Sequence, residues 1–270
     1  MSAQSTRTRV APPWGELRYS GELARLLAHM ALRGPRRAHD AQPVLLIPGF
    51  MAGDGSLAVL RRWLEWRGHS VSMSGMRANV DCAERIVGRL QAQLLALASE
   101  AGRPVFVIGQ SRGGAIARCL AVRSPEAVCG LVMLGTPVRD PLAISAPVQR
   151  AVALLARLGD LGLPGMFSSS CRDGDCCADI RDELGAPLGP HIRAVAVYSR
   201  SDGVVDWRAC LDAHAEAVEV HSSHCGMSVH TKVYELLARV LDGGPASPGS
   251  RSRAGQPHPR PRRSTAQATG

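Results

Sequence analysis

The sequence predicts an α/β fold, a mostly parallel sheet of about six strands with helices on both faces. Three observations predict it. Short apolar, β-branched runs alternate with amphipathic helical stretches between Pro43 and Leu241, the pattern of a parallel sheet covered on both faces. The run Pro104-Val105-Phe106-Val107-Ile108 leads into Gly109-Gln110-Ser111-Arg112-Gly113-Gly114 and then into a helical stretch, Ala115 to Val122. Strand, tight Gly-x-Ser-x-Gly turn and helix form the context of a nucleophile elbow. Finally, 270 residues that are 45% hydrophobic and 20% charged suffice for one sizeable core, with or without a small lid.

In chain order, residues 1–19 are polar and Pro-interrupted, and are expected to be extended or loose. Leu23, Leu26, Leu27 and Met30 recur at helical spacing. They predict a helix packed on the body, the alternative being a surface helix seeking a partner or membrane. Residues 1–42 thus read as an N-terminal extension. Pro43 to Ile47 reads as a buried first strand, Ser56 to Trp66 as a helix stopped by Gly68, and His69 to Met73 as a second strand. Asp81 is placed as the cap of a helix through Ala98 with the stripe Ile86, Leu90, Leu94 and Leu97. After the elbow, Val128 to Leu134 is the fourth strand, Ile192 to Tyr198 the fifth and Ala217 to Val220 the sixth. Asp206 to Ala213 reads as a short helix and Val229 to Leu241 as the closing one. Residues 138–190 break the alternation and are too long for a plain loop, so they read as a lid inserted into a domain spanning 43–242. Residues 243–270 are rich in Pro, Ser, Gly and Arg, and are expected to be disordered.

The formal net charge of +9 sits at the ends. Residues 1–42 carry +4, residues 243–270 carry +5, and the 200 residues between are balanced. A neutral body argues against a basic groove and specific nucleic-acid binding. The tail is expected to make at most weak contact with an anionic surface. No apolar run approaches the about 18–20 residues of a transmembrane helix, and no secretory signal is evident. The expected location is therefore cytoplasmic, with export left open by eight cysteines.

A serine hydroxyl is a weak nucleophile and needs a base, which in turn needs a carboxylate to hold its tautomer. On such a sheet these groups gather beyond the carboxyl ends of the strands, in the chain order serine, acid, histidine. Ser111 is the candidate nucleophile, with Gly109 and Gly113 removing side chains that would collide across the turn. Asp202, just off the fifth strand and followed by Gly203, is the candidate acid. Asp206 is read as a helix cap, and Asp140 is a remoter alternative. His224 is the candidate base, ahead of His221 at the strand end. The expected oxyanion donors are the backbone N–H groups of Arg112 and Phe50. The Arg112 side chain is read as a solvated residue at a helix start.

Together, Pro48-Gly49-Phe50, the elbow, Gly135-Thr136-Pro137, Asp202-Gly203-Val204-Val205 and His224 resemble the α/β-hydrolase superfamily, most closely small bacterial esterases and lipases. The likeness covers residues 43–242. It implies hydrolysis of a small-molecule carboxylic ester through an acyl-enzyme, with no metal and no organic cofactor. Gln110 and Arg112 depart from the residues more usual beside the serine, and the family's first two strands are missing, so a minimal sheet is expected. Two other readings stand: an acyltransferase or thioesterase on the same triad, and a catalytically silent binding fold. The apolar helix in the lid suggests a hydrophobic acyl group.

Cys171, Cys176 and Cys177 cluster in the lid. No second pair at zinc-ligand spacing accompanies them, so metal is not expected. A lid disulfide fits an exported protein and free thiols a cytosolic one. Cys210 and Cys225 form another candidate pair, and Cys82, Cys119 and Cys129 read as small buried hydrophobes.

Overall fold

The computed structural model describes residues 10–33 and 37–243. The expected tail lies outside them, apart from Gly243. The sheet has six strands in the order β2-β1-β3-β4-β5-β6. They are β1 (Pro43–Ile47), β2 (Ser70–Met73), β3 (Val105–Gln110), β4 (Val128–Leu134), β5 (Arg193–Tyr198) and β6 (Glu216–Glu219). Every neighbouring pair runs parallel. The helices are α1 (Tyr19–Arg33), α2 (Ala58–Arg67), α3 (Ala83–Ala101), α4 (Arg112–Arg123), α5 (Ala146–Asp160), α6 (Ser169–Asp173), α7 (Ala178–Glu183) and α8 (Thr231–Leu241).

Period-two side-chain geometry divides the core. Leu45, Ile47, Val107, Leu131 and Met133 face α3 and α4, joining Ile86, Leu90, Leu94, Ile116 and Leu120. Val44, Leu46, Ile108, Val132 and Val197 face the other way and join Leu60, Leu64, Leu26, Val233 and Leu237. β1 and β3 are buried along their whole length because both faces are covered. Gly68, left-handed at φ 99°, ends α2 as expected.

Three local expectations are corrected. Pro13–Arg18 is a 3-10 helix rather than loose chain, with Pro at its first turn, where no N–H is required. The N-cap of α3 is Cys82, not Asp81. Asp81 instead accepts from the Cys82 N–H and pairs with Arg85. The stretch after Asp206 is only a 3-10 turn, Trp207–Cys210. The N-terminal helix packs on the body through Leu26, with Leu23 and Met30 beside it, while Leu27 points outward.

Between β4 and β5 the insertion carries α5, α6 and α7. It is anchored at its start by an isolated bridge, Ile144 to Val205. The Phe167 N–H donates to the Val80 carbonyl, and the Phe167 ring lies 6.2 Å from that of Phe50. At its end, buried Arg118 of α4 pairs with Asp212 at 2.6 Å and donates to the carbonyls of Glu183 and Ala186.

Candidate functional site

Ser111 sits between β3 and α4 at φ 52°, ψ −123°. It is one of two non-glycine residues with positive φ among the described residues, the other being Met51. Such backbone persists only where the surroundings enforce it. Here the Ser111 N–H donates to the Leu134 carbonyl at 2.7 Å, while Gly114 N–H returns to the Ser111 carbonyl at 2.9 Å. The flanking glycines are sterically required. A Cβ on Gly109 would overlap the backbone of Gly113 and Gly114, and one on Gly113 would overlap the carbonyls of Ile47 and Pro48. The chain folds this tightly because these side chains are absent.

Asp202 and His224, on the loops after β5 and β6, meet directly. His224 Nδ1 stands 2.7 Å from Asp202 Oδ2, and both side chains are buried. The other carboxylate oxygen of Asp202 accepts the N–H groups of Val204 and Val205, each at 2.8 Å. The acid is thereby fixed and fully hydrogen-bonded. Burial opposes charge on His224, but the Asp202 carboxylate, with Glu16 beyond it, outweighs burial and holds its pKa above the ordinary histidine value. Asp206 plays the expected capping role, accepting the Arg208 N–H at 3.1 Å. Asp140 is exposed, and His221 is exposed between Arg18 and Ser201.

No hydrogen bond joins the Ser111 hydroxyl to His224 among the described residues. The link between the two loops is Gln110, whose amide donates to the His224 carbonyl at 3.2 Å. This residue ties the Ser111 turn to the His224 loop. Catalytic hydrogen bonds in unliganded sites are commonly long and tighten with substrate.

Phe50 follows β1 on a loop that passes close to the elbow. A Cβ on Gly49 would lie 3.4 Å from Ser111 Cβ, so glycine permits this approach. The Arg112 N–H belongs to the first turn of α4, whose N–H groups have no intrahelical acceptor. The Arg112 side chain corrects the sequence reading, because it is not a solvated one. Its guanidinium packs over the Phe167 ring at 5.4 Å and donates to the Asn79 carbonyl at 2.9 Å, the Asn79 side-chain oxygen at 2.8 Å and the Asp81 carbonyl. Burial pushes its pKa down to about 10 against the opposing pull of nearby thiols. Asn79 in turn donates to the Pro48 carbonyl at 2.8 Å. Both loops expected to supply oxyanion donors are thus braced through one buried asparagine that local sequence pattern did not single out.

Glu16 and Glu22 were also not singled out. Glu16 accepts the N–H groups of His224 at 2.9 Å, Cys225 at 3.2 Å and Gly203 at 3.1 Å. Glu22 accepts the Ser223 N–H and hydroxyl. The N-terminal helical segment therefore clamps the loops bearing Asp202 and His224. Gly203 permits this approach, since a Cβ there would crowd Glu16 and the Pro12 carbonyl at 3.2 Å. A cleft of about 320 Å³ lies in the insertion, lined in part by Arg85, Leu163, Met166 and Cys171 and by none of the predicted site residues.

A family model described as serine aminopeptidase, S33, matches residues 61–181. Compared with curated protein sequences, the chain finds no match. Among solved structures it is similar to the mature lipase BlEst2 of Bacillus licheniformis, with TM-score 0.58 and 13% identity over 77% of this chain and 95% of that one. It is also similar to a soluble variant of monoglyceride lipase from Saccharomyces cerevisiae, with TM-score 0.52 and 17% identity over 77% and 88%. A metagenomic α/β hydrolase, MGS-MChE2, gives TM-score 0.51 and 17% identity over 76% and 92%. With its parallel six-stranded sheet and its serine on a strained strand-to-helix turn, the chain has the α/β-hydrolase fold.

Proposed function

We propose that the protein is a serine hydrolase that cleaves carboxylic esters through an acyl-enzyme, with Ser111 as nucleophile, His224 as base and Asp202 as its orienting acid. The observation that carries this reading is the buried Asp202–His224 contact of 2.7 Å, tied through Gln110 to the loop of Ser111. In the reaction Ser111 Oγ attacks the ester carbonyl while His224 Nε2 takes its proton. Asp202 holds the Nδ1 proton and offsets the charge growing on the ring. The oxygen's developing charge falls to the N–H groups of Phe50 and Arg112. His224 then returns its proton to the leaving alcohol, and water repeats the sequence on the acyl-enzyme. The insertion is the proposed lid, with Phe167 against Phe50 as its contact with the substrate side. The lipases among the structural neighbours are consistent with an ester of a hydrophobic acyl group.

The test is a serine-directed fluorophosphonate followed by peptide mass mapping, with a panel of p-nitrophenyl esters of rising chain length. Labelling at Ser111 and ester turnover are expected, both lost in Ser111→Ala. An unlabelled, correctly folded protein would overturn the reading in favour of a silent fold. Product analysis with added alcohol separates hydrolysis from acyl transfer.

A further inference from the structure

Three thiols of the insertion and one from the start of α3 converge at one point. Cys82 caps α3, Cys171 lies in α6, and Cys176 and Cys177 lie in the 3-10 turn Asp175–Cys177. Their sulfur atoms all lie within 4.8 Å of one another. Cys171 and Cys176 are 3.4 Å apart, Cys82 and Cys176 3.6 Å, and Cys82 and Cys177 3.7 Å. Zinc–sulfur bonds of ~2.3 Å set the edge of a zinc–tetrathiolate tetrahedron at ~3.8 Å. The sulfurs therefore already stand near the corners such an ion requires. The distances single out no one disulfide partner, since Cys176 approaches Cys171 and Cys82 almost equally and Cys82 approaches Cys176 and Cys177 almost equally. None of the eight cysteines is bridged.

We propose that Cys82, Cys171, Cys176 and Cys177 bind one structural zinc ion that joins the insertion to the start of α3. An all-sulfur, four-coordinate set suits zinc, and it leaves no open position for a reacting water. Binding releases the thiol protons and changes no oxidation state, so the loaded centre carries a charge of −2. Two cations stand ready for it. Arg112 is within electrostatic reach of Cys177 and Cys82, and Arg85 of Cys82 and Cys171. The Asp81 carboxylate pairs with Arg85, while Arg112 donates to the Asp81 backbone carbonyl. The ion would also pin the segment Asn79–Cys82, whose carbonyls hold Arg112 and Phe167. Sequence spacing missed the site because three of the ligands are local, two of them adjacent, and the fourth comes from another helix. The proposal does not depend on ester chemistry.

The test is elemental analysis of the full-length protein produced under reducing conditions with zinc in the medium. About one zinc per chain is expected, with Cys171 and Cys176, the accessible members of the set, shielded from a thiol reagent until a chelator is added. Cobalt(II) in place of zinc should give the intense thiolate-to-metal absorption of a tetrahedral sulfur site. Cys82→Ser and Cys176→Ser should lose the ion, while Cys129→Ser should keep it. If those variants do not fold, the zinc content and cobalt spectrum of the unaltered protein decide alone. A metal-free protein, a coloured one holding iron, or an intact mass reduced by bridging of these cysteines would each overturn the proposal.

Discussion

The sheet and the insertion are built on different physics. β1 and β3 are buried end to end, and their side chains alternate between two apolar layers. The insertion has little interior of its own. α5 buries only Ala156, while Leu154 and Leu161 are 59% and 77% exposed. It is held at discrete points: Ile144 to Val205, Phe167 to Val80 and Phe50, the thiol cluster, and the carbonyls that grip Arg118. The body is stabilised by distributed apolar burial, which α7 joins through Ile180 and Leu184, and the α5 part of the insertion by a few directional contacts. Mutations should therefore have graded effects in the sheet-borne site and local ones in the insertion.

The largest expected effect lies on the sheet side. Ser111→Ala should lower ester turnover by on the order of 10⁶-fold, read by burst-corrected kinetics. Asp202→Asn should follow at about 10⁴-fold through the wrong histidine tautomer, whereas Asp206→Asn should stay within about threefold, since its bond is a cap. The reverse ranking would reassign the acid. For stability, Leu131→Ala in β4 should cost about 2–5 kcal/mol in denaturant unfolding, against about 0.5 kcal/mol or less for exposed Leu154→Ala on α5. Equal costs would erase the contrast between the two regions.

The smallest effect is one of pH. Because the folded-state pKa of His224 is raised, catalysis by its neutral form should rise with pH through that value. The stability it contributes runs the other way. It is fully present below the unfolded histidine pKa of about 6.5, and is lost as pH rises through the folded one. Asp202→Asn should flatten that stability slope, measured as Tm against pH. An unchanged slope would place its origin elsewhere.

How much of this was legible in the sequence follows from the range of each interaction. β1, β3 and β4 announce themselves as continuous apolar runs, and Ser111 by glycines whose absent side chains the turn requires. The order of Ser111, Asp202 and His224 came from topology, since each follows a strand. What was not legible depends on partners distant in sequence. Arg112 at a helix start reads as solvated until Asn79, Asp81 and Phe167 are placed around it. Cys82 reads as a small hydrophobe until the insertion brings three more thiols. Asp81 reads as a cap by its position, yet Cys82 takes that place.

The grip of Glu16 and Glu22 on the loop of His224 gives the assembly a built-in sequence of events. During synthesis the acidic grip emerges 208 residues before the imidazole loop it steadies, so local structure alone cannot set that loop. A chain trimmed to begin at Pro43 would keep its strands but leave that loop without its anchor. Competence at Ser111 would then report that the two extremities of the body have found each other.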